Sequence, residues 1–165
     1  MVQREQSRSP ALAVLAVLAM ATPVLIANAG QEPSSATGPW LTEDHRGVID
    51  IERCGDGTLC GRLVWMQPTP EDRGKPAIDG HNPSTELRTR PLCGLVILGG
   101  FKQISEREWR DGWIYDPENG KTYHAQITLA TDTSLELRGY VGIPLFGATQ
   151  LWTRLSSSVR FCDEG

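Results

Sequence analysis

The chain has 165 residues, which is enough for one domain of ordinary size. Its 16 Lys and Arg residues stand against 20 Asp and Glu residues, and the net charge of −4 argues against a general nucleic-acid-binding protein. The 17 Gly and 11 Pro residues interrupt the chain too often for long helices, which argues against a helical bundle.

The first 29 residues have the pattern of a secretory signal peptide. Arg4 and Arg8 precede an apolar run over 11–27, and an Ala-Asn-Ala tripeptide ending at Ala29 supplies the small residues that signal peptidase reads. The alternative is a transmembrane anchor, but Pro23 interrupts the run, which is also short for a bilayer. We therefore predict cleavage after Ala29, no membrane span in the mature chain, and a periplasmic or secreted protein.

All four cysteines follow this leader, at Cys54, Cys60, Cys93 and Cys162. An even number of cysteines in an oxidising compartment favours disulfides, and the spacings are not those of a structural zinc site. The segments 48–54 and 59–65 both alternate around a Gly-Asp-Gly turn, which predicts a β-hairpin joined by a Cys54–Cys60 disulfide. The Cys93–Cys162 pair follows by elimination.

A register that pairs Cys54 with Cys60 places Glu52 opposite Arg62 and Asp50 opposite Val64 on one face of this hairpin. The other face then collects the apolar side chains Ile49, Ile51, Leu59, Leu63 and Trp65.

Strand patterns fill most of the chain after the leader. In chain order we expect a flexible lead-in over 30–37, a short segment at Trp40, the hairpin, a long polar connection over 67–91, and strands over 92–98, 109–116, 121–129, 135–141 and 149–155. About eight short strands in sequential order predict an all-β fold, a single antiparallel up-and-down β-barrel over 38–165. A barrel of this size can hold one small ligand.

Motifs spread over the whole predicted barrel resemble the bacterial domain-of-unknown-function family 2147. They are Gly38-Pro39-Trp40, Ile49-Asp50-Ile51 with Cys54, Leu59-Cys60-Gly61-Arg62, Asn82-Pro83, Leu87-Arg88-Thr89-Arg90-Pro91-Leu92 with Gly94, Gly112-Trp113-Ile114-Tyr115-Asp116-Pro117, Gly120-Lys121-Thr122-Tyr123, Leu137-Arg138-Gly139-Tyr140-Val141-Gly142 and Trp152-Thr153-Arg154. The resemblance implies a small exported protein with a lipocalin-like (calycin-like) barrel and no established activity.

A looser resemblance to lipocalin-type barrels implies a structural role for Trp40 and Arg154. Such barrels often carry Gly-x-Trp near their start and an arginine near the last strand that closes over the indole. The resemblance therefore implies that Arg154 stacks on Trp40 and seals one end of the barrel.

Two arginines in the long connection are candidate ligand contacts. Arg88 and Arg90 are two residues apart, so in an extended segment they point the same way and suit a carboxylate or phosphate. The alternative is that either arginine pins the connection through carbonyl groups and an acidic side chain such as Asp79.

The apolar segment 143–147 joins the last two predicted strands. Ile143, Leu145 and Phe146 are expected to form a hydrophobic lip for a lipid-like ligand or a partner, and Trp65 and Trp113 are expected to face the barrel interior. The alternative is that this segment folds inward and plugs the barrel.

Catalytic and metal sites find little support in the sequence. Neither Gly-x-Ser-x-Gly nor Ser-x-x-Lys is present, and four paired cysteines leave no free thiol. Asp79 and His81, with His45 or His124, lack the spacing of metal ligands. We assign no catalytic residue, metal or cofactor, and we do not predict an enzyme.

These observations predict an exported small-ligand-binding protein that holds an amphipathic or apolar, fatty-acid-like molecule in its barrel. Arg88 or Arg90 would then meet an acidic head group near the opening. The alternative is a filled barrel that serves as an interaction module for a protein of the cell envelope.

Overall fold

The computed structural model describes residues 35–70, 75–156 and 162. The predicted signal peptide and residues 30–34 of the predicted lead-in lie outside these residues. The strands are β1 (Gly38–Leu41), β2 (Gly47–Arg53), β3 (Leu59–Met66), β4 (Val96–Ser105), β5 (Glu108–Asp116), β6 (Lys121–Thr131), β7 (Ser134–Tyr140) and β8 (Gly147–Arg154). A short 3₁₀ helix, Thr85–Leu87, lies in the connection between β3 and β4.

The eight strands form one closed antiparallel barrel in which each strand pairs with the next. Closure comes from β1 and β8, where Trp40 pairs with Arg154 and Leu41 with Thr153. The prediction of an all-β up-and-down barrel is therefore confirmed. Because the strands alternate in direction, the β1–β2, β3–β4, β5–β6 and β7–β8 connections meet at one end, which we call the mouth, and we call the other end the base.

Large apolar side chains fill the base. Along each strand alternate side chains point into the barrel, and those of the lower half are buried. They include Trp40, Ile51, Leu59, Phe101, Trp109, Ile127, Leu129, Leu135 and Trp152, all at most 3% exposed.

The N-terminal end of the described chain is held against the base. The Trp40 indole Nε1 donates a hydrogen bond to the Ala36 carbonyl at 2.8 Å, and Ala36 is fully buried. Arg154 stacks on Trp40, with its guanidinium carbon 4.2 Å from the ring centroid, and donates to the carbonyls of Thr37 at 2.8 Å and Asp132 at 2.6 Å. Residues 35–37 of the predicted flexible lead-in are thus part of the packed barrel, because Trp40 and Arg154 use their carbonyls as acceptors.

The hairpin of β2 and β3 has a different register from the predicted one. Glu52 lies opposite Cys60, two residues away from the predicted pairing. The cause is a three-residue turn in which Cys54 N donates to the Thr58 carbonyl and Gly57 has a φ of +82°. A two-residue shift leaves every side chain on its predicted face except where a bulge intervenes.

Both predicted disulfides are present in the structure. The Cα atoms of Cys54 and Cys60 lie 5.9 Å apart, and those of Cys93 and Cys162 lie 5.8 Å apart. The backbone N–H of Cys162 also donates to the Val64 carbonyl at 2.8 Å, so the second disulfide and this hydrogen bond tie residue 162 to the β3 side of the barrel. Within the described residues, no helix has the length and apolar character needed to cross a membrane.

Candidate ligand-binding cavity

The upper half of the barrel and the connections at the mouth together line an open cavity of about 1210 Å³. The barrel interior is therefore not filled, in contrast to the alternative in which the β7–β8 connection plugs it. The inner wall of the cavity is mainly apolar and includes Ile49, Leu63, Ile97, Ile114, Leu137 and Trp152. A cavity of this size and lining suits a small molecule with a substantial apolar part.

Small residues on β7 and β8 create the space. Gly139 and Ala148 face each other across these strands, and both line the cavity. A methyl group added at Gly139 would meet only the Ile114 and Tyr123 side chains, at ordinary contact distances of 3.7 and 3.9 Å. The cavity thus begins where the large side chains of the base give way to glycine and alanine.

Gln150 is a polar group on the inner wall. It lies between Ala148 and Trp152 on the inward face of β8, opposite Leu137 of β7. The Trp152 indole Nε1 donates to the Gln150 side-chain oxygen at 2.9 Å. This bond uses the amide oxygen and leaves the amide nitrogen as a donor for a ligand oxygen in the cavity.

Charged side chains surround the opening. Arg46 of the β1–β2 loop and Glu118 of the β5–β6 turn form an ion pair, with 2.7 Å between Nη1 and Oε1, and both line the cavity. Partial burial would raise the pKa of Asp44, but hydrogen bonds from the Thr42 hydroxyl and the Arg46 backbone N–H, with the Arg46 charge, outweigh it and lower that pKa. The rim is therefore polar and charged, whereas the wall below it is apolar.

The predicted hydrophobic lip is at the mouth. Leu145 and Phe146 line the cavity opening and are 76% and 69% exposed. Arg138 of β7 holds this connection by donating from Nε to the Pro144 carbonyl at 2.7 Å and from Nη1 to the Thr149 hydroxyl at 2.8 Å. The role of Leu145 and Phe146 as ligand contacts stays a prediction.

Trp65 and Trp113 face outward, which corrects the expectation that they line the interior. In each case a β-bulge reverses the alternation. On β3, Val64 is the extra residue: Leu63 pairs with Ile49, which lines the cavity, whereas Trp65 pairs with the next residue of β2, Val48, which does not. On β5 an extra residue lies between Trp109 and Gly112, where Asp111 has a φ of +61°, and Trp113 follows on the outer face.

Arg88 and Arg90 pin the long connection, which is the alternative considered for them. Arg90 pairs with the fully buried Asp79, with Nε and Nη2 at 2.9 and 2.8 Å from Oδ2. Arg88 donates from Nε to the Asn82 carbonyl at 2.7 Å. Neither arginine lines the cavity. The structure therefore does not place either group at the predicted head-group site.

Asp79 is the centre of a buried hydrogen-bond network that sequence analysis did not identify as such. Its carboxylate accepts from the Tyr115 hydroxyl at 2.6 Å and from the Asn82 amide at 2.7 Å, in addition to Arg90. Burial alone would raise the pKa of Asp79, but these three donors and the Arg90 charge outweigh it and lower the pKa. The network fixes the long connection to the end of β5.

The three histidines lie apart in the structure. His81 lines the mouth, His45 lies in the β1–β2 loop, and His124 stacks with Tyr140 on the outer wall, 5.7 Å between ring centroids. Among the described residues no group of three or more His, Cys, Asp or Glu side chains is arranged to hold a metal ion.

Comparisons with other proteins agree with this architecture. Residues 38–154 match the model of a family described as an uncharacterized protein conserved in bacteria (DUF2147). Among solved structures, protein HP1028 from Helicobacter pylori, described as belonging to the lipocalin family, has a similar fold with a TM-score of 0.65. The two chains are 23% identical over 74% of this chain and 84% of the other. No curated protein matches the chain.

Proposed function

This chain belongs to the DUF2147 family of bacterial proteins, and we propose that it is an exported carrier of a small amphipathic molecule, such as a fatty-acid-like lipid. A lipocalin-like barrel is in general suited to ligand binding. The apolar part of the ligand would occupy the barrel cavity, and its polar end would lie at the mouth.

The single observation that carries this proposal is the open cavity with an apolar wall and a polar rim. An apolar chain placed against Ile97, Leu137 and Trp152 gains the hydrophobic free energy of leaving water. A polar end at the level of Arg46 and Glu118 stays hydrated and within reach of charged groups. A purely polar ligand would gain little from the lower wall, because Gln150 is set among apolar neighbours.

Export is supported by two independent features. The leader has the charge, apolar run and small residues of a signal peptide, and the two disulfides are of the kind that persist in oxidising compartments. We therefore propose the periplasm as the site of action.

The first test is native mass spectrometry of protein purified from a bacterial periplasm, followed by titration with a fluorescent fatty acid such as dansyl-undecanoate. We expect an additional mass that organic extraction removes, and saturable probe binding by the extracted protein. The absence of both would contradict the proposal.

A matched pair of variants shows whether the probe lies in the cavity. Ala148→Trp fills the cavity from its inner wall, and Leu151→Trp adds the same ring on the outer face of the same strand. We expect Ala148→Trp to weaken probe binding about tenfold or more, and Leu151→Trp to leave it unchanged. Equal affinity in the two variants would place the probe outside the barrel.

A further inference from the structure

An exposed apolar loop projects from the mouth. We use this name for residues 141–146, the connection between β7 and β8. The side chains of Val141, Ile143, Leu145 and Phe146 are 67, 52, 76 and 69% exposed. Four large apolar side chains together in water are unfavourable unless something covers them during function.

The apolar loop is built to stay outside the barrel. Within it, Phe146 N donates to the Ile143 carbonyl at 3.0 Å and Val141 N donates to the Phe146 carbonyl at 3.3 Å. Arg138 holds the Pro144 carbonyl from outside the loop at 2.7 Å. These bonds fix the backbone of the turn, in which Leu145 and Phe146 lie at the cavity opening and Ile143 does not line the cavity.

Aromatic side chains lie on the outer wall directly behind the apolar loop. Trp113, His124 and Tyr140 occupy paired positions on β5, β6 and β7, and with Val141 and Gly142 they line a groove of about 250 Å³. Aromatic residues with a polar atom are enriched where proteins meet the boundary between lipid tails and head groups. The apolar loop at the tip and the aromatic row behind it have the same order as the lipid tails and the head-group layer of a membrane.

We propose that the mouth docks on a lipid bilayer surface through the apolar loop, with Trp113 and Tyr140 at the level of the head groups. Leu145 and Phe146 belong both to the loop and to the cavity opening, so docking would join the bilayer directly to the cavity. The net negative charge of the chain, with or without its leader, favours a neutral over an anionic surface, and an apolar over an electrostatic attachment. The docking stands on its own, whereas uptake of a lipid by this route rests on the proposed function.

Ile143 and Ile104 provide a matched test. They are 52% and 51% exposed, but Ile143 lies at the tip of the apolar loop and Ile104 lies near the base end of β4. Neither lines the cavity. We would compare flotation of the full chain and of Ile143→Asp and Ile104→Asp with phosphatidylcholine vesicles, all produced with the same N-terminal segment.

We expect wild type and Ile104→Asp to bind the vesicles equally and independently of salt, and Ile143→Asp to bind about tenfold more weakly. Trp113→Ala, which removes one aromatic side chain of this row and leaves the tip unchanged, should also bind more weakly. Equal binding by Ile143→Asp and wild type, absence of binding by wild type, or binding that requires anionic lipid would each overturn the proposal.

Dansyl-undecanoate titration without vesicles separates the two proposals. Because Ile143 does not line the cavity, Ile143→Asp should bind the probe like wild type. If Ile143→Asp binds vesicles more weakly than wild type does, and neither wild type nor any variant binds the probe, the carrier function is refuted and the docking surface is retained. Probe binding with equal vesicle binding by all variants would refute the docking surface alone.

Discussion

Removal of the Arg90 side chain isolates the buried charge of Asp79. Asp79 has no exposed surface, and the Arg90 side chain is 33% exposed. Loss of one partner from a buried ion pair usually costs about 3–5 kcal/mol. Because Asp79 keeps its hydrogen bonds from Tyr115 and Asn82, we expect Arg90→Ala to lower the free energy of unfolding by about 2 kcal/mol.

Arg88→Ala is the matched control for this prediction. Its exposed side chain donates one hydrogen bond to the Asn82 carbonyl, so its loss should cost only about 0.5–1 kcal/mol. The assay is urea unfolding with the disulfides intact, together with hydrogen exchange of the Asp79 amide, which donates to the Arg90 carbonyl. Asp79→Asn in the Arg90→Ala background should restore part of the loss, because it removes the unpaired charge.

The effect of Arg90→Ala should depend on pH in a defined direction. Since the folded pKa of Asp79 is lower than its ordinary value of 3.8, the stabilisation is complete above pH 3.8 and is lost as the pH falls through the lower folded value. Arg90→Ala removes part of this lowering, so the difference from wild type should shrink below pH 3.8. A difference that stays constant to pH 2, or an Arg90→Ala variant no less stable than Arg88→Ala, would refute the reasoning.

Two further substitutions test the mouth and the base. Gly120 has a φ of +68° and a Cβ there would overlap the His81 carbonyl, so Gly120→Ala should cost about 2 kcal/mol or more in urea unfolding and should raise hydrogen exchange in the β3–β4 connection. Arg154→Lys keeps the charge but removes the planar guanidinium group that covers Trp40. We expect the free energy of unfolding to fall by about 2 kcal/mol and the tryptophan fluorescence to shift. If either variant is as stable as wild type, the corresponding contact does not stabilise the fold as we argue.

The barrel could be predicted because its signals are local. Alternation along 48–54 and 59–65, with a Gly-rich turn between them, is enough to predict a hairpin, and the same patterns recur along the chain. The structure of the Gly57 turn shows why the register could still be missed by two residues. Both registers put the same side chains inside, so hydrophobic patterning does not distinguish them.

The orientation of Trp65 and Trp113 could not be obtained from alternation. Each follows a single bulged residue, and one extra residue transfers every later side chain to the opposite face. On β5, the Asp111-Gly112 pair is a signal that could have indicated a bulge, because Asp tolerates a positive φ and Gly112 packs against the Phe101 ring. Val64 on β3 offers no such signal.

The Asp79 network could not be predicted from the sequence for a different reason. Asp79 and Tyr115 are 36 residues apart, and the pairing depends on how the long connection returns to the end of β5. The sequence allowed Arg88 and Arg90 to meet either a ligand or Asp79. Only the structure distinguishes them, since the carboxylate of Asp79 is completely buried and a buried charge requires a partner.

The two sides of the mouth differ in how firmly they are held, and this difference indicates where a ligand would enter. On one side, the β3–β4 connection is pinned by Asp79 and by the close packing of Gly120 against His81. On the other side, Ala148 and Gln150 point inward from β8 and are nevertheless exposed, so solvent reaches the inner wall there. The apolar loop lies at the end of this same strand. Entry beside β8 would therefore deliver an apolar chain from the docking surface to the cavity without opening the pinned side.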